Sequence, residues 1–269
     1  MVNRKLRVCI AGATGWAGSA LSKGVVGDSS LELVSGVSRS QAGKDLAGIL
    51  GIGQKAIPIF ENVGEALEST PCDVLVEFTQ PNVAKANIVA AIKKGVNVVV
   101  GTSGLTDADY HEMGILLKEK GTSLLAAGNF SITAVLLQKF SLMAAKYIPT
   151  FEVVDYASNT KIDTPSGTAL QLANQLSGVQ APKEEIPEED WIGPKESRGA
   201  KINSVRVHAV RLPGYTLSVE TIFGLKDERL AIRHDAGPSA EPYVQGALLA
   251  IKQVGTYKGL RRRLESIMD

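Results

Sequence analysis

Residues 6–18, LRVCIAGATGWAG, decide the fold of this 269-residue chain. An apolar, β-branched run stops at Gly12, and glycines recur at 15 and 18 just as a helix-period segment begins. A buried strand that breaks into glycines and reopens as a helix can cradle a pyrophosphate. Glycine lets the chain turn tightly, and the unpaired N–H groups at the helix start then meet the anion. The spacing is G-x-x-G-x-x-G, so the strand-to-helix context carries more weight than the letters. Gly12, Thr14, Gly15, Trp16 and Ala17 are the first candidate cofactor contacts, with an unliganded turn as the competing reading.

Outward from that turn, short apolar runs at 31–37, 74–78 and 96–100 alternate with helix-period segments at 17–26, 63–69 and 81–94. This is the pattern of an α/β protein, a Rossmann-like, doubly wound parallel sheet. The character changes after Asn129. A helix over 131–147 leads to a strand over 151–157 and a helix over 165–176, and 182–199 is polar enough for an exposed loop. Runs at 204–211 and 215–223 alternate like antiparallel strands around Pro213-Gly214, a third strand follows at 229–234, and a last helix starts near Pro242. A second, α+β body follows from this.

Composition sets limits. With 44% hydrophobic and 21% charged residues and a formal net charge of +1, nothing marks a nucleic-acid surface. No apolar stretch is long enough for a membrane span, and the run Val8 to Ala11 is too short for a signal peptide. Arg261-Arg262-Arg263 reads as a solvated helix face. Cys9 and Cys72 sit in strand-like runs as small buried hydrophobes, with no metal-ligand spacing. The expectation is a cytoplasmic protein without a metal.

A carboxylate near the end of the second strand would select NAD, but the sequence there is Gly36-Val37-Ser38-Arg39-Ser40. Arg39 can pair with a 2′-phosphate and Ser38 can add a hydrogen bond, which favours NADPH, with NADH possible but weaker. A plain surface arginine is the alternative. Phe78-Thr79 and Gly101-Thr102-Ser103 follow two further strands and carry the small residues and hydroxyls suited to a nicotinamide ribose.

In the second half, DYASNTKIDTPSGTAL at 155–170 places Lys161 ahead of Thr164-Pro165-Ser166-Gly167-Thr168, a helix start that can hold an anion. Together with EFTQP at 77–81, GTSG at 101–104 and GNFS at 128–131, this segment resembles the 4-hydroxy-tetrahydrodipicolinate (dihydrodipicolinate) reductase family over nearly the whole chain. The resemblance implies a dinucleotide-binding domain at 1–129 and 240–269, and a substrate-binding and oligomerisation domain at 130–239. It also implies Asn129 and Phe130 as cofactor contacts, a homotetramer, and reduction of a cyclic unsaturated imine dicarboxylate in lysine and diaminopimelate synthesis. Ser166, Gly167 and Thr168 would bind the substrate. A hinge is expected near 128–131 and 239–242.

The family carries a His-His pair where this chain has Ala157 and Ser158, a later histidine is missing near Gly214, and Trp16-Ala17 replaces Arg-Met. Hydride addition to a conjugated imine builds charge that a proton or cation must meet. Lys161 is the catalytic candidate, with Tyr156 and His234 as alternative donors; Asp155 and Ser158 are weaker rivals, and His111 is a bystander on a surface helix. The lost histidines leave open a reductase for a different imine or keto acid, or a non-catalytic nucleotide-binding assembly or regulatory protein.

Overall fold

Val8 to Ala11 of β1 (Leu6–Ala11) are without exposed surface, as a strand covered on both faces requires. A computed structural model of the chain describes residues 4–53 and 55–268. It divides into two units: the chain up to Ile132 joined by everything from Ala240 onward, and Thr133–Ser239.

In the first unit β1 leads through α1 (Trp16–Gly27) to β2 (Leu31–Val37), α2 (Leu46–Leu50), β3 (Ile59–Phe60), α3 (Val63–Ser69) and β4 (Val74–Glu77). Then come α4 (Pro81–Lys93), β5 (Asn97–Val100), α5 (Asp107–Lys120) and β6 (Ser123–Ala126). Local signals set the boundaries. Pro81 opens α4, Gly95 beyond its end takes φ +77°, and a Thr106–Asp109 capping box starts α5.

The sheet is parallel throughout, in the order β12-β6-β5-β4-β1-β2-β3. Chain direction across the sheet therefore reverses between β1 and β4, and the carboxyl ends there open the crevice where this architecture binds nucleotides. The C-terminal segment completes the unit. Val244 of α8 (Glu241–Gln253) would collide with any Cβ at Gly24 of α1, only 2.4 Å away, and β12 (Gly259–Arg262) extends the sheet beside β6.

The arginine run is therefore not a helix face. Arg261 and Arg262 lie on an edge strand and Arg263 follows at φ +73°; charge on an exposed edge also discourages pairing with another chain. Glycine turns and a short apolar run made the strand hard to read.

The second unit holds α6 (Ile132–Ala144) from its second residue on, β7 (Phe151–Ala157), α7 (Gly167–Ser177), β8 (Ala200–Ile202), β9 (Val205–Arg211), β10 (Leu217–Leu225) and β11 (Glu228–Ala236). Its sheet runs β11-β10-β7-β9-β8. On one face Phe151, Val153, Val207, Val219 and Phe223 pack against Leu137 of α6 and Leu172, Ala173 and Leu176 of α7.

The strands on either side of Pro213-Gly214 are not a hairpin. β9 pairs with β7 in parallel, β10 pairs with β7 antiparallel, and β7 lies between them. Alternation reveals a strand but not its neighbour. The loop over 182–199 is mostly exposed, as expected, yet pinned: the guanidinium groups of Arg198 and Arg206 lie 4.9 and 4.3 Å from the centre of the Trp191 ring, and Arg206 also pairs with Glu184 and Glu188.

Candidate active site

In the first unit some of the expected contacts line one cleft, while Trp16, Ala17, Gly101, Thr102, Ser103, Asn129 and Phe130 are not among its lining residues. Gly12 and Thr14 after β1, Ser38 and Arg39 after β2, and Phe78 and Thr79 after β4 line one cleft of about 480 Å³. Gly12 takes φ +83°, and a Cβ there would lie 2.3 Å from the Phe78 carbonyl, so only glycine lets the two exits lie flush. A Cβ at Gly18 would lie 2.0 Å from the Gly12 carbonyl, which explains the third glycine.

Gly15 caps α1 with no side-chain hydrogen bond, and the Ser19 N–H donates to the Gly15 carbonyl at 2.8 Å to close the first turn. The N–H groups of Trp16 and Ala17 therefore lack helical acceptors, as an anion cradle requires. Thr14 and Ser38 hydroxyls join at 2.8 Å across the loops. Arg39 is exposed and makes no ion pair among the described residues, leaving its fork available for a phosphate. Trp16, 61% exposed, meets Tyr243 of α8 edge to face at 5.8 Å.

Phe78 and Phe130 pack at 5.6 Å, and a Cβ at Gly101 would run into the Phe78 ring at 2.4 Å. Asn129 accepts from the Ser131 N–H at 2.8 Å. The Thr79 and Thr102 hydroxyls turn inward to Glu77, a buried carboxyl to which the sequence assigned no role beyond its place in EFTQP. Burial pushes the Glu77 carboxyl up, against the donors from Thr79 and Asn87. Its one signal was an acidic residue closing an otherwise apolar strand. Ser103 is exposed.

In the second unit the quoted turn is built on Asp155, which has no exposed surface. Asp155 accepts from the Ser166 N–H (2.7 Å), the Ser166 hydroxyl (2.6 Å) and Nη2 of Arg211 (2.7 Å). Arg211 also donates to the Asp163 carbonyl at 2.8 Å, so one guanidinium pins both ends of the lysine loop. Arg211 was missed because nothing in its own strand marks it.

Several expectations change here. α7 begins at Gly167, with Ser166 as its N-cap and Pro165 ahead of the cap after a cis Thr164–Pro165 bond. Ser166 is 1% exposed with N–H and hydroxyl committed to Asp155, so it supports the turn and has no free donor for substrate. Gly167 and Thr168 carry the accessible helix start. Lys161 Nζ lies 2.7 Å from Asp163 Oδ1, and the Lys161 ammonium and the Gly167 N–H help hold the Asp163 carboxyl below its usual range.

Tyr156 does not fit a donor on this side. Side chains alternate along β7, so it faces away from Asp155; its hydroxyl donates to Glu220 at 3.0 Å, and burial followed by Glu220 raises its pKa. His234 shares the Asp155 face, through Val219 on β10, and bonds Thr133 Oγ1 at 3.0 Å; burial lowers its pKa and favours the neutral ring. Ala157 is fully buried and Ser158 bonds Thr160 at 2.9 Å. His208 pairs with Glu152 at 2.7 Å, and His111 is exposed on α5. Among the described residues, no group of three or more His, Cys, Asp or Glu side chains could hold a metal, and no helix is long and apolar enough to cross a membrane.

A parallel sheet with a glycine cradle at its switch point, joined to a mixed-sheet unit carrying a lysine and an open helix start, defines a nicotinamide-dependent oxidoreductase of the two-unit kind. Residues 6–130 match the N-terminal domain of dihydrodipicolinate reductase and residues 133–268 its C-terminal domain, and the chain belongs to that family. It is 35% identical over 269 residues to the 4-hydroxy-tetrahydrodipicolinate reductase of Bacillus pumilus (strain SAFR-032), covering 100% of both chains. It is 34% identical over 270 residues to that of Bacillus subtilis (strain 168), again with 100% of both covered. A dipicolinate-bound dihydrodipicolinate reductase from Paenisporosarcina sp. TG-14 superposes with TM-score 0.89 at 28% identity, over 98% of this chain and 100% of that one.

Proposed function

We propose that the protein reduces 4-hydroxy-tetrahydrodipicolinate to tetrahydrodipicolinate, with loss of water, in lysine and diaminopimelate synthesis. The observation that carries this reading is the Lys161 turn, whose ammonium stands beside an accessible helix start in a chain that matches the reductases end to end. A bound nicotinamide cofactor supplies the hydride. Gly12, Gly15 and the N–H groups of Trp16 and Ala17 hold its pyrophosphate, and Arg39 with Ser38 favours the 2′-phosphate of NADPH over NADH.

Lys161 binds one substrate carboxylate and the N–H groups of Gly167 and Thr168 take the other, the Asp163 carboxylate giving up both the Lys161 ammonium and the Gly167 N–H. The charge that accumulates on the substrate as hydride adds is neutralised by a proton from Lys161, directly or through water. His234, neutral and hydrogen-bonded, serves as a secondary contact.

The missing histidines favour one other reading, a related imine or keto acid as substrate, because Ala157 and Ser158 give the pocket no titratable group there. The open face of the five-stranded sheet, where β11 is largely exposed, suits assembly into a homotetramer. The test is a steady-state assay with freshly generated dihydrodipicolinate synthase product, following NADPH oxidation. Turnover is expected; binding of NADPH without turnover would move the assignment to another imine or keto acid.

A further inference from the structure

Glu77 ends β4 beside the point where the strand order reverses, with no exposed surface. Its carboxylate joins three segments. Oε1 accepts from the Thr79 N–H (2.8 Å) and the Thr79 hydroxyl in the loop after β4, and from the Thr102 hydroxyl (3.3 Å) in the loop after β5, a hydroxyl that lies equally 3.3 Å from the Glu77 main-chain carbonyl. Oε2 accepts from Asn87 Nδ2 on α4 at 2.9 Å. The same two loops meet again where the Phe78 ring covers Gly101, leaving only 2.4 Å to a Cβ built there. Both threonine hydroxyls are thus held by Glu77, and Thr79 and Asn87 still line the cleft with Gly12 and Arg39.

We propose that Glu77 is a positioning residue for the nicotinamide cofactor, fixing the loops after β4 and β5 in the register that presents their backbone to it. This rests on the cofactor reading above. Three donors meet at one oxygen, so the carboxyl group adds a side-chain tie between both loops to the backbone bond from the Gly101 N–H to the Glu77 carbonyl. A carboxylate that holds the first shell without touching the ligand acts on affinity through geometry.

Hydrogen-bonding capacity predicts an ordered series. In Glu77→Gln the amide carbonyl keeps the Oε1 bonds, and the Asn87 amide can turn to accept from the new N–H, so the tie survives. Glu77→Ala leaves Thr79 and Asn87 without it and Thr102 with only the main-chain carbonyl of residue 77. The experiment is calorimetric titration of the full-length protein with NADPH, together with the KM for the cyclic imine at saturating cofactor.

Glu77→Ala should weaken NADPH by about tenfold or more, Glu77→Gln by less than about threefold, and the imine KM should stay within about twofold in both. Thr102→Val, which cuts only the tie to the loop after β5, should weaken NADPH by about threefold and serves if Glu77→Ala does not fold. Parental NADPH affinity in Glu77→Ala, or in Thr102→Val where the alanine variant does not fold, overturns the proposal, as does an equal loss for imine and cofactor. A parent that binds neither NADPH nor NADH overturns the cofactor reading instead, and this proposal with it.

Discussion

At the scale of single residues, the proposed function rests on Lys161 for the chemistry and on Arg39 for the cofactor preference. Lys161 can both hold a carboxylate and give a proton, whereas Ala157 can do neither and the Tyr156 hydroxyl is committed to Glu220 on the other sheet face. Lys161→Ala should therefore lower kcat/KM by at least ~10²-fold while NADPH affinity barely changes. Near-parental turnover in that variant would move the proton source to His234 or solvent. Arg39 is exposed and without an ion pair among the described residues. Its removal in Arg39→Ala should weaken NADPH about tenfold and leave NADH unchanged in paired titrations, since only NADPH has a 2′-phosphate to lose. Both residues stand out in the sequence, Arg39 just after a strand and Lys161 just ahead of a helix start, each with a distinctive charge. The Ser166 N–H, expected to help grip a substrate carboxylate, instead bonds Asp155, a partner eleven residues away that local sequence does not reveal.

At the scale of elements, α1 and α8 show how the C-terminal segment stabilises the nucleotide unit. Lys252 of α8 lies 2.5 Å from Asp28 Oδ2, the residue that ends α1, and this contact, followed by bonds from Ser30, lowers the Asp28 carboxyl to about 2. A carboxyl depressed on folding contributes stability above its unfolded pKa, ~3.9, and loses it as pH falls through the folded value. Lys252 is 42% exposed, so solvent screening keeps its share small. Lys252→Met should cost at most ~1 kcal/mol at neutral pH in urea unfolding, and the difference from the parent should vanish below about pH 2. A cost that persists unchanged at the acid end would mean lost packing by the lysine stem rather than lost charge. Helix and strand positions were largely legible because apolar period and capping residues are local. The arginine edge strand and the neighbours of β9 were not, since pairing is decided by segments far along the chain.

For the whole molecule, the first unit is discontinuous: it is finished only when α8 and β12 arrive after the second unit has been made. α8 buries Val244, Leu248 and Ile251 among others. Burial of three such side chains contributes roughly 5 kcal/mol or more, comparable to the whole stability of many domains. A chain ending at Ser239 should therefore lose cooperative unfolding of the nucleotide unit, read by calorimetry, and NADPH binding with it; a parental transition in that truncation would show the unit to be complete without its last helix. The sequence by itself determined the doubly wound sheet, the glycine turn after β1, the arginine after the second strand and the lysine turn, because each depends on local spacing and the conformational limits of a few residues. Only the tertiary structure decided that Glu77 ties two cofactor loops, that Arg211 and Asp155 anchor the lysine turn, and that Tyr156 faces away from it. Those depend on strand register and on which face of a sheet a side chain occupies, and both are set by packing between segments distant in sequence.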